Sequence, residues 1–156
     1  MTFFRGPPAV AAKHLEERVA AIVTANPWLA SVLDHDNAGK VAAFYPAEAS
    51  SGRSLFEVVD GVPLARGTTS YSAMERALAP SVLCKTSTEA VGTGAPCFDV
   101  ALLPDAAAPN DRFALVVSAN HTLLDGHGFY RIYNMLSADA EVEALRAQIR
   151  SDVAGD

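Results

Sequence analysis

The segment Asn120–Gly128 reads NHTLLDGHG and gathers His121, Asp125, Gly126, His127 and Gly128. An imidazole titrates near neutral pH, so it can accept a proton and return it within one turnover. Asp125 follows His121 by four positions. It could orient the histidine, brace the loop, or cap a helix that starts there. Gly126 permits a positive φ and a close approach of backbone or substrate. Three readings fit these residue types. In the first the loop is structural, with Asp125 as a cap and His121 as a hydrogen-bonded loop histidine. In the second His121 is a general base. In the third His121, Asp125 and His127 hold a metal, a reading that His14 and His35 do not help because they lie far away in sequence. A Ser-His-Asp triad would need Ser118, which no strand-to-helix elbow motif marks as a nucleophile.

The elements around this loop would have to position it. Arg112–Ala119 (RFALVVSA) is apolar enough for a strand in the middle of a sheet. Phe129, Ile132, Tyr133 and Leu136 follow at helical spacing. A strand feeding a polar loop that opens a helix is a common site geometry in sheet-based folds.

Upstream, Thr2–Arg5 reads as a short strand broken by Gly6-Pro7-Pro8. A helix from Ala9 places Leu15, Val19, Ile22 and Val23 on one face and ends near Ala25-Asn26, before Pro27. Trp28, Leu29, Val32 and Leu33 continue the stripe as a further helical turn, with Trp28 as a core residue. Asp34–Gly39 is a loop, Lys40–Tyr45 a strand and Pro46–Arg53 a loop. Ser54–Val59 is a strand with a turn at Asp60-Gly61. Tyr71–Leu78 is a short helix that Ser70 could cap and Pro80 ends. Ser81–Pro96 is a loop, Cys97–Leu103 a strand and Pro104–Asp111 an exposed turn. A last helix from Ala138 to about Arg150 would align Val142, Leu145 and Ile149, and 151–156 would be a frayed tail. About three helices and five strands in mixed order predict an α/β (α+β) fold, a mixed sheet with helices packed on it, in one domain over 1–150.

Composition narrows the function. The chain has 156 residues, half of them apolar, and 19% charged, as in a globular domain with one core. Its net charge is −6 and its twelve basic residues are scattered. That argues against nucleic acid and anionic membrane surfaces as partners. Cys84 and Cys97 lack metal spacing and read as two reduced, buried or near-buried thiols of an intracellular protein. MTFFRGPP lacks the apolar run of a secretory signal, and no stretch reaches about 18 uninterrupted apolar residues, so the expected location is the cytoplasm and no membrane span is expected.

H-x-x-x-D-G at His121, Asp125 and Gly126 resembles the motif of chloramphenicol acetyltransferase-like acyltransferases. That superfamily includes the condensation domains of nonribosomal peptide synthetases. FALVVSAN resembles the strand that leads into the motif, and GFYRIYNML resembles the helix that follows. HLEERVAAIVTANPWLASVL resembles the first long helix, and CFDVALLP the strand before the motif strand. The resemblance covers most of the chain, in the family's order.

It implies that His121 is the general base. It would take a proton from an acceptor hydroxyl, amine or thiol as that group attacks an acyl thioester on coenzyme A or a carrier-protein arm. No cofactor, no metal and no acyl-enzyme are implied; the thioester and a small-molecule acceptor are the partners. Asp125 would hold the loop by pairing with an arginine, for which Arg5, Arg18, Arg66, Arg112 and Arg131 are candidates. Gly126 would leave space beside the histidine. Asn120 stands where many members carry a second histidine, and His127 weighs against a peptide-synthetase role. Two-lobed members are roughly three times as long and bring a D-F-G-W-G-like motif that this sequence lacks. The resemblance therefore implies an N-terminal lobe that needs a second lobe or self-association. A non-catalytic binding or assembly domain, or a degenerate fragment, that keeps the fold is the alternative.

Overall fold

The computed structural model describes residues 1–46, 54–67 and 70–147. Four strands form one sheet in the order β1 (Thr2–Arg5), β6 (Arg112–Ala119), β5 (Phe98–Pro104), β4 (Phe56–Val58). β1 and β5 run antiparallel to β6, while β4 runs parallel to β5, so the sheet is mixed. β2 (Val32–His35) and β3 (Val41–Phe44) form a separate antiparallel pair. The helices are α1 (Pro8–Ala25), α2 (Tyr71–Leu78), α3 (Ser87–Ala90) and α4 (Gly126–Met135), with a 3-10 turn at Pro27–Ala30. The predicted fold class is observed; among the described residues α3 and β2 are the elements that the sequence pattern did not give.

The two central strands are buried on both faces, and their alternation divides the core. Phe98, Val100 and Leu102 of β5 share one face with Phe113, Leu115 and Val117 of β6. Leu15, Val19, Ile22 and Val23 of α1 and Ile132 and Met135 of α4 cover that face. Ala101, Leu103, Ala114 and Val116 point the other way, onto Leu64, Leu78 and Val82. Each large apolar side chain taken out of water here is worth about 1.5–3 kcal/mol. The sheet therefore cannot slip by one residue without exchanging its two cores.

Most elements lie where the sequence places them. Trp28 is buried in the larger core; at Asp60-Gly61, where a turn was expected, Gly61 has φ +76° but the chain forms no regular turn. The expected helical turn through Leu33 stops at Ala30 instead. Ser31 is extended, its carbonyl accepts from Cys97 N, and Leu33 O accepts from Gly92 N, so Val32 and Leu33 belong to β2. Asp34 and His35 join that strand, which shortens the predicted loop. Ser70 occupies the N-cap position of α2 without a capping bond; its hydroxyl meets that of Ser72. The loop predicted at Pro46–Arg53 lies, beyond Pro46, outside the described residues.

The largest departure is the last predicted helix. Residues 141–147 carry no regular secondary structure. In a helix, Leu145 N would donate to the carbonyl of residue 141, and Glu143 O would accept from residue 147. The fully buried Asn26 takes both groups. Its Oδ1 accepts from Leu145 N at 2.7 Å, and its Nδ2 donates to Glu143 O at 2.8 Å and Ile22 O at 3.0 Å. Trp28 Nε1 donates to Leu145 O, and the Arg18 guanidinium to Met135 O and Ala140 O. Val142 and Leu145 still pack on the core, which is the apolar spacing the helical pattern registered. Ile149 and the predicted tail lie outside the described residues. Among the described residues no helix is long and apolar enough to cross a membrane.

Asp105, in the turn after β5, is buried. Burial raises its carboxyl pKa. Backbone N–H groups of Arg66, Ala107 and Ala108 and the Arg112 guanidinium together lower it by more, so it sits below the ordinary carboxylate value.

Two outcomes follow. Asn26→Ala strips partners from buried and part-buried backbone groups on two segments, so the denaturant midpoint should fall by the equivalent of about 2–4 kcal/mol with little change in m. Asp105, with its depressed folded pKa, stabilises above its unfolded value and loses that contribution as pH falls through the folded one. The melting temperature gap between wild type and Asp105→Asn should therefore be wide at neutral pH and close below about pH 4.

Candidate functional site

β6 ends at Ala119 and the chain turns at once. Asn120 N donates to Cys97 O at 2.7 Å, and Asn120 O accepts from Leu123 N and Leu124 N. The Asn120 side chain is buried, at 4% exposure. Its Oδ1 accepts from Thr122 N at 2.9 Å and from Ser87 Oγ at 2.8 Å, and its Nδ2 donates to Lys85 O at 3.0 Å. These partners fix the amide orientation, because two donors face the oxygen and a carbonyl faces the nitrogen. Ser87 Oγ also lies 2.6 Å from Thr122 Oγ1. The single Ser87 proton is committed to Asn120, so Thr122 is the donor in that pair.

His121 stands between Asn120 and Thr122, both buried, and is itself exposed. Among the described residues its imidazole has no hydrogen-bond partner. This differs from the buried, hydrogen-bonded histidine of the structural reading.

Asp125 is the N-cap of α4, and its Oδ1 accepts from Gly128 N at 2.7 Å. It makes no ion pair with an arginine among the described residues. Arg18 is bound to the Met135 and Ala140 carbonyls, Arg112 lies 3.8 Å from Asp105, and Arg131 pairs with Glu143. Carbonyls and other carboxylates hold these guanidiniums, so Asp125 braces the loop through the helix start rather than through an arginine. Asp125, His127, Arg131 and Arg146 line a small cavity of about 90 Å³.

Gly126 does not use a positive φ, contrary to one sequence expectation, and a Cβ there would meet nothing within 4 Å. Gly128 is the constrained glycine. A Cβ on it would lie 3.0 Å from Leu124 Cδ2 and 3.2 Å from Asp125 Oδ1. Its need for space follows from the cap and could not be read from spacing.

The metal reading is not met: among the described residues no three His, Cys, Asp or Glu side chains converge. Ser118, the weak triad candidate, has its Oγ occupied by Cys84 N at 2.8 Å. Neither Cys97 nor Cys84 forms a disulfide. Burial pushes the Cys97 thiol up to about 11, which keeps it protonated and a poor nucleophile near neutral pH.

The sequence reading missed α3, inside the predicted loop Ser81–Pro96. Thr86-x-x-Glu89 was its available signal. Thr86 and Glu89 close a capping box, and the Thr86 hydroxyl and N–H hold the Glu89 carboxyl below its ordinary range. With α3 come Ser87 and the Lys85 carbonyl, the partners of Asn120. Ser87, Thr88 and Val91 also line, with His35 and Val41, a cavity of about 360 Å³.

No protein-family model matches the chain, and no curated protein matches it in sequence. Solved structures do. The first condensation domain of the calcium-dependent antibiotic synthetase, in complex with a substrate analogue, is 17% identical, with a TM-score of 0.54 over 98% of this chain and 35% of that one. The condensation domain that mediates chain release from the enacyloxin polyketide synthase is 21% identical, with a TM-score of 0.48 over 98% of this chain and 28% of that one. Of these two, the antibiotic synthetase domain superposes closely enough to show a shared fold, the chloramphenicol acetyltransferase-like one. The chain spans about a third of the length of the structures it matches.

The two glycines separate space from conformation. Gly126→Ala should raise stability by up to about 1 kcal/mol through helix propensity. Gly128→Ala gains the same term but crowds the cap, and should melt lower than Gly126→Ala by the equivalent of about 1–3 kcal/mol. Equal melting temperatures for the two variants would refute the close packing at Gly128.

Proposed function

We propose that this chain is the catalytic-histidine lobe of an acyltransferase, with His121 as general base. One observation carries the reading: His121 presents an imidazole with no hydrogen-bond partner among the described residues, between two buried neighbours whose side chains are hydrogen-bonded. The shared condensation-domain fold supports the class of chemistry. Fold alone does not assign function, so the proposal stands on the site.

The donor is an acyl thioester of coenzyme A or a carrier protein, and the acceptor is a small molecule with a hydroxyl or amine. The acceptor heteroatom attacks the thioester carbonyl while His121 takes its proton. The new O–C or N–C bond forms, the C–S bond breaks, and the departing thiolate recovers the proton from the imidazolium. No acyl-enzyme and no cofactor are needed; positioning and proton transfer carry the reaction. Asp125 and Gly126 act on the loop and not on the proton. Asp125 starts α4, and Gly126 leaves open space at the helix start.

A second lobe, or a second copy of this lobe, supplies the opposite wall of the substrate passage. The chain's share of the structures it matches supports this.

The test pairs stability with turnover. Release of free thiol from a panel of acyl-coenzyme A donors is followed with amine and alcohol acceptors, at concentrations where sedimentation has established the assembly state. His121→Ala should lower the rate by about 10²–10⁴-fold with little change in melting temperature. Asp125→Ala should lose about 1 kcal/mol of stability first, as a lost helix cap does. Equal rates for wild type and His121→Ala would overturn the assignment and leave a binding or assembly domain.

A further inference from the structure

Among the described residues the His121 side chain makes no hydrogen bond, yet the loop that carries it is bound to a distant part of the chain. The bond network runs through Asn120 and Ser87, 33 positions apart in sequence. We propose that Asn120 and Ser87 form a positioning unit for His121, which makes the residues around α3 a working part of the site. The proposal rests on His121 being the base for its catalytic consequence, but its geometric content can be tested without any substrate.

The chemistry of the cluster is closed. Asn120 Oδ1 uses two lone pairs, one toward Thr122 N and one toward the Ser87 hydroxyl. Nδ2 reaches the Lys85 carbonyl, and Thr122 Oγ1 completes the ring by donating to Ser87 Oγ. The residue before His121 and the residue after it are thus both bonded to one serine. Removing that hydroxyl leaves Asn120 Oδ1 with one donor fewer and Thr122 Oγ1 without its acceptor, both in buried positions. Each has reason to rotate, and His121 lies between them.

The cluster also explains why asparagine stands at position 120. A neutral imidazole has one acceptor and one donor nitrogen at opposite edges of the ring. It cannot offer one atom to two donors while its neighbouring atom serves a carbonyl. The amide does both within a smaller volume. A histidine here would have to break at least one bond to Thr122, Ser87 or Lys85.

Ser87 has a second exposure: it lines the cavity of about 360 Å³ with Thr88, Val91, His35 and Val41. The unit therefore has one side against the His121 loop and the other at a cavity wall.

The experiment reads the imidazole directly. Proton–carbon NMR of the full chain resolves the Cε1–H signals of its four histidines, His14, His35, His121 and His127. The variants are Ser87→Ala, Ser87→Thr and Asn120→Ala, each studied well below its own melting temperature. Ser87→Ala should split, broaden or move the His121 signal while His14 and His127 keep their positions. Ser87→Thr retains the hydroxyl and should restore the wild-type signal. Asn120→Ala should show the larger disturbance; if it does not fold, the serine pair decides the matter alone. In the transfer assay, Ser87→Ala should lower kcat more than it raises KM, because the base and not the substrate is misplaced. An unchanged His121 signal in Ser87→Ala would overturn the positioning unit, even if His121→Ala abolishes transfer. A disturbed signal together with unaffected transfer in His121→Ala would keep the unit and sink the catalytic reading.

Discussion

Asn120 makes six hydrogen bonds, three through its backbone and three through its side chain. They join the start of β5, the residues around α3 and the turn toward α4 at the point where β6 ends. A buried amide with all of these partners is costly to displace, since each lost bond strands a polar group away from water. The loop therefore has a fixed origin. From it the chain has five residues to reach Asp125, whose carboxylate starts the next helix. Between two such anchors a side chain can be held outward with no partner of its own, and His121 is in that position.

The sheet supplies the platform for this anchor. β5 and β6 are buried on both faces, with the large residues toward α1 and α4 and smaller ones toward α2. The strand that delivers Asn120 pairs with β5 over Phe113–Ala119 and with β1 over Arg112–Leu115. On the larger core's side, α1 acts as a spine that also holds the final described segment. Asn26 and Trp28, just past the end of α1, bond the backbone of Glu143 and Leu145, and Arg18 holds the carbonyl of Ala140 where that segment begins. Polar side chains on and just after one helix thus decide the path of a segment more than a hundred residues away.

The polar groups near the loop have different degrees of commitment. Asp125 is occupied by the helix it caps, Ser118 by Cys84 N, and Asn120 and Thr122 by one another and by Ser87. Cys97 is buried and protonated. His121 stands apart from all of them in being exposed and unbonded among the described residues. A proton-transfer group must meet its substrate with a free lone pair, and a group already bonded within the protein is less available for that. The contrast separates His121 from these groups; His127, within α4, shares its exposure and its lack of a hydrogen bond among the described residues.

The sequence by itself determined the elements whose apolar spacing is strong. The α1 stripe, the two central strands, the α4 face and the loop carrying His121, Asp125 and Gly126 were all legible, because periodicity and turn residues act over a few positions. Cap chemistry was legible at Asp125, where the structure places the N-cap of α4, and present but passed over at Thr86 and Glu89. What only the tertiary structure decided depends on long-range polar contacts. The segment 141–147 has helical apolar spacing, yet Asn26 claims its backbone groups. Val32 and Leu33 look like a continued helix, yet the Cys97 and Gly92 amides draw Ser31 and Leu33 into extended chain. Gly128 is the tight glycine only because the Asp125 side chain folds over it. Asn120 reads in sequence as a missing histidine; in three dimensions it is the knot of the loop, because Ser87 and Lys85 meet it there. Local patterns record which face is apolar, whereas the partner of a buried amide is set by whichever distant group the packed sheet brings within about 3 Å.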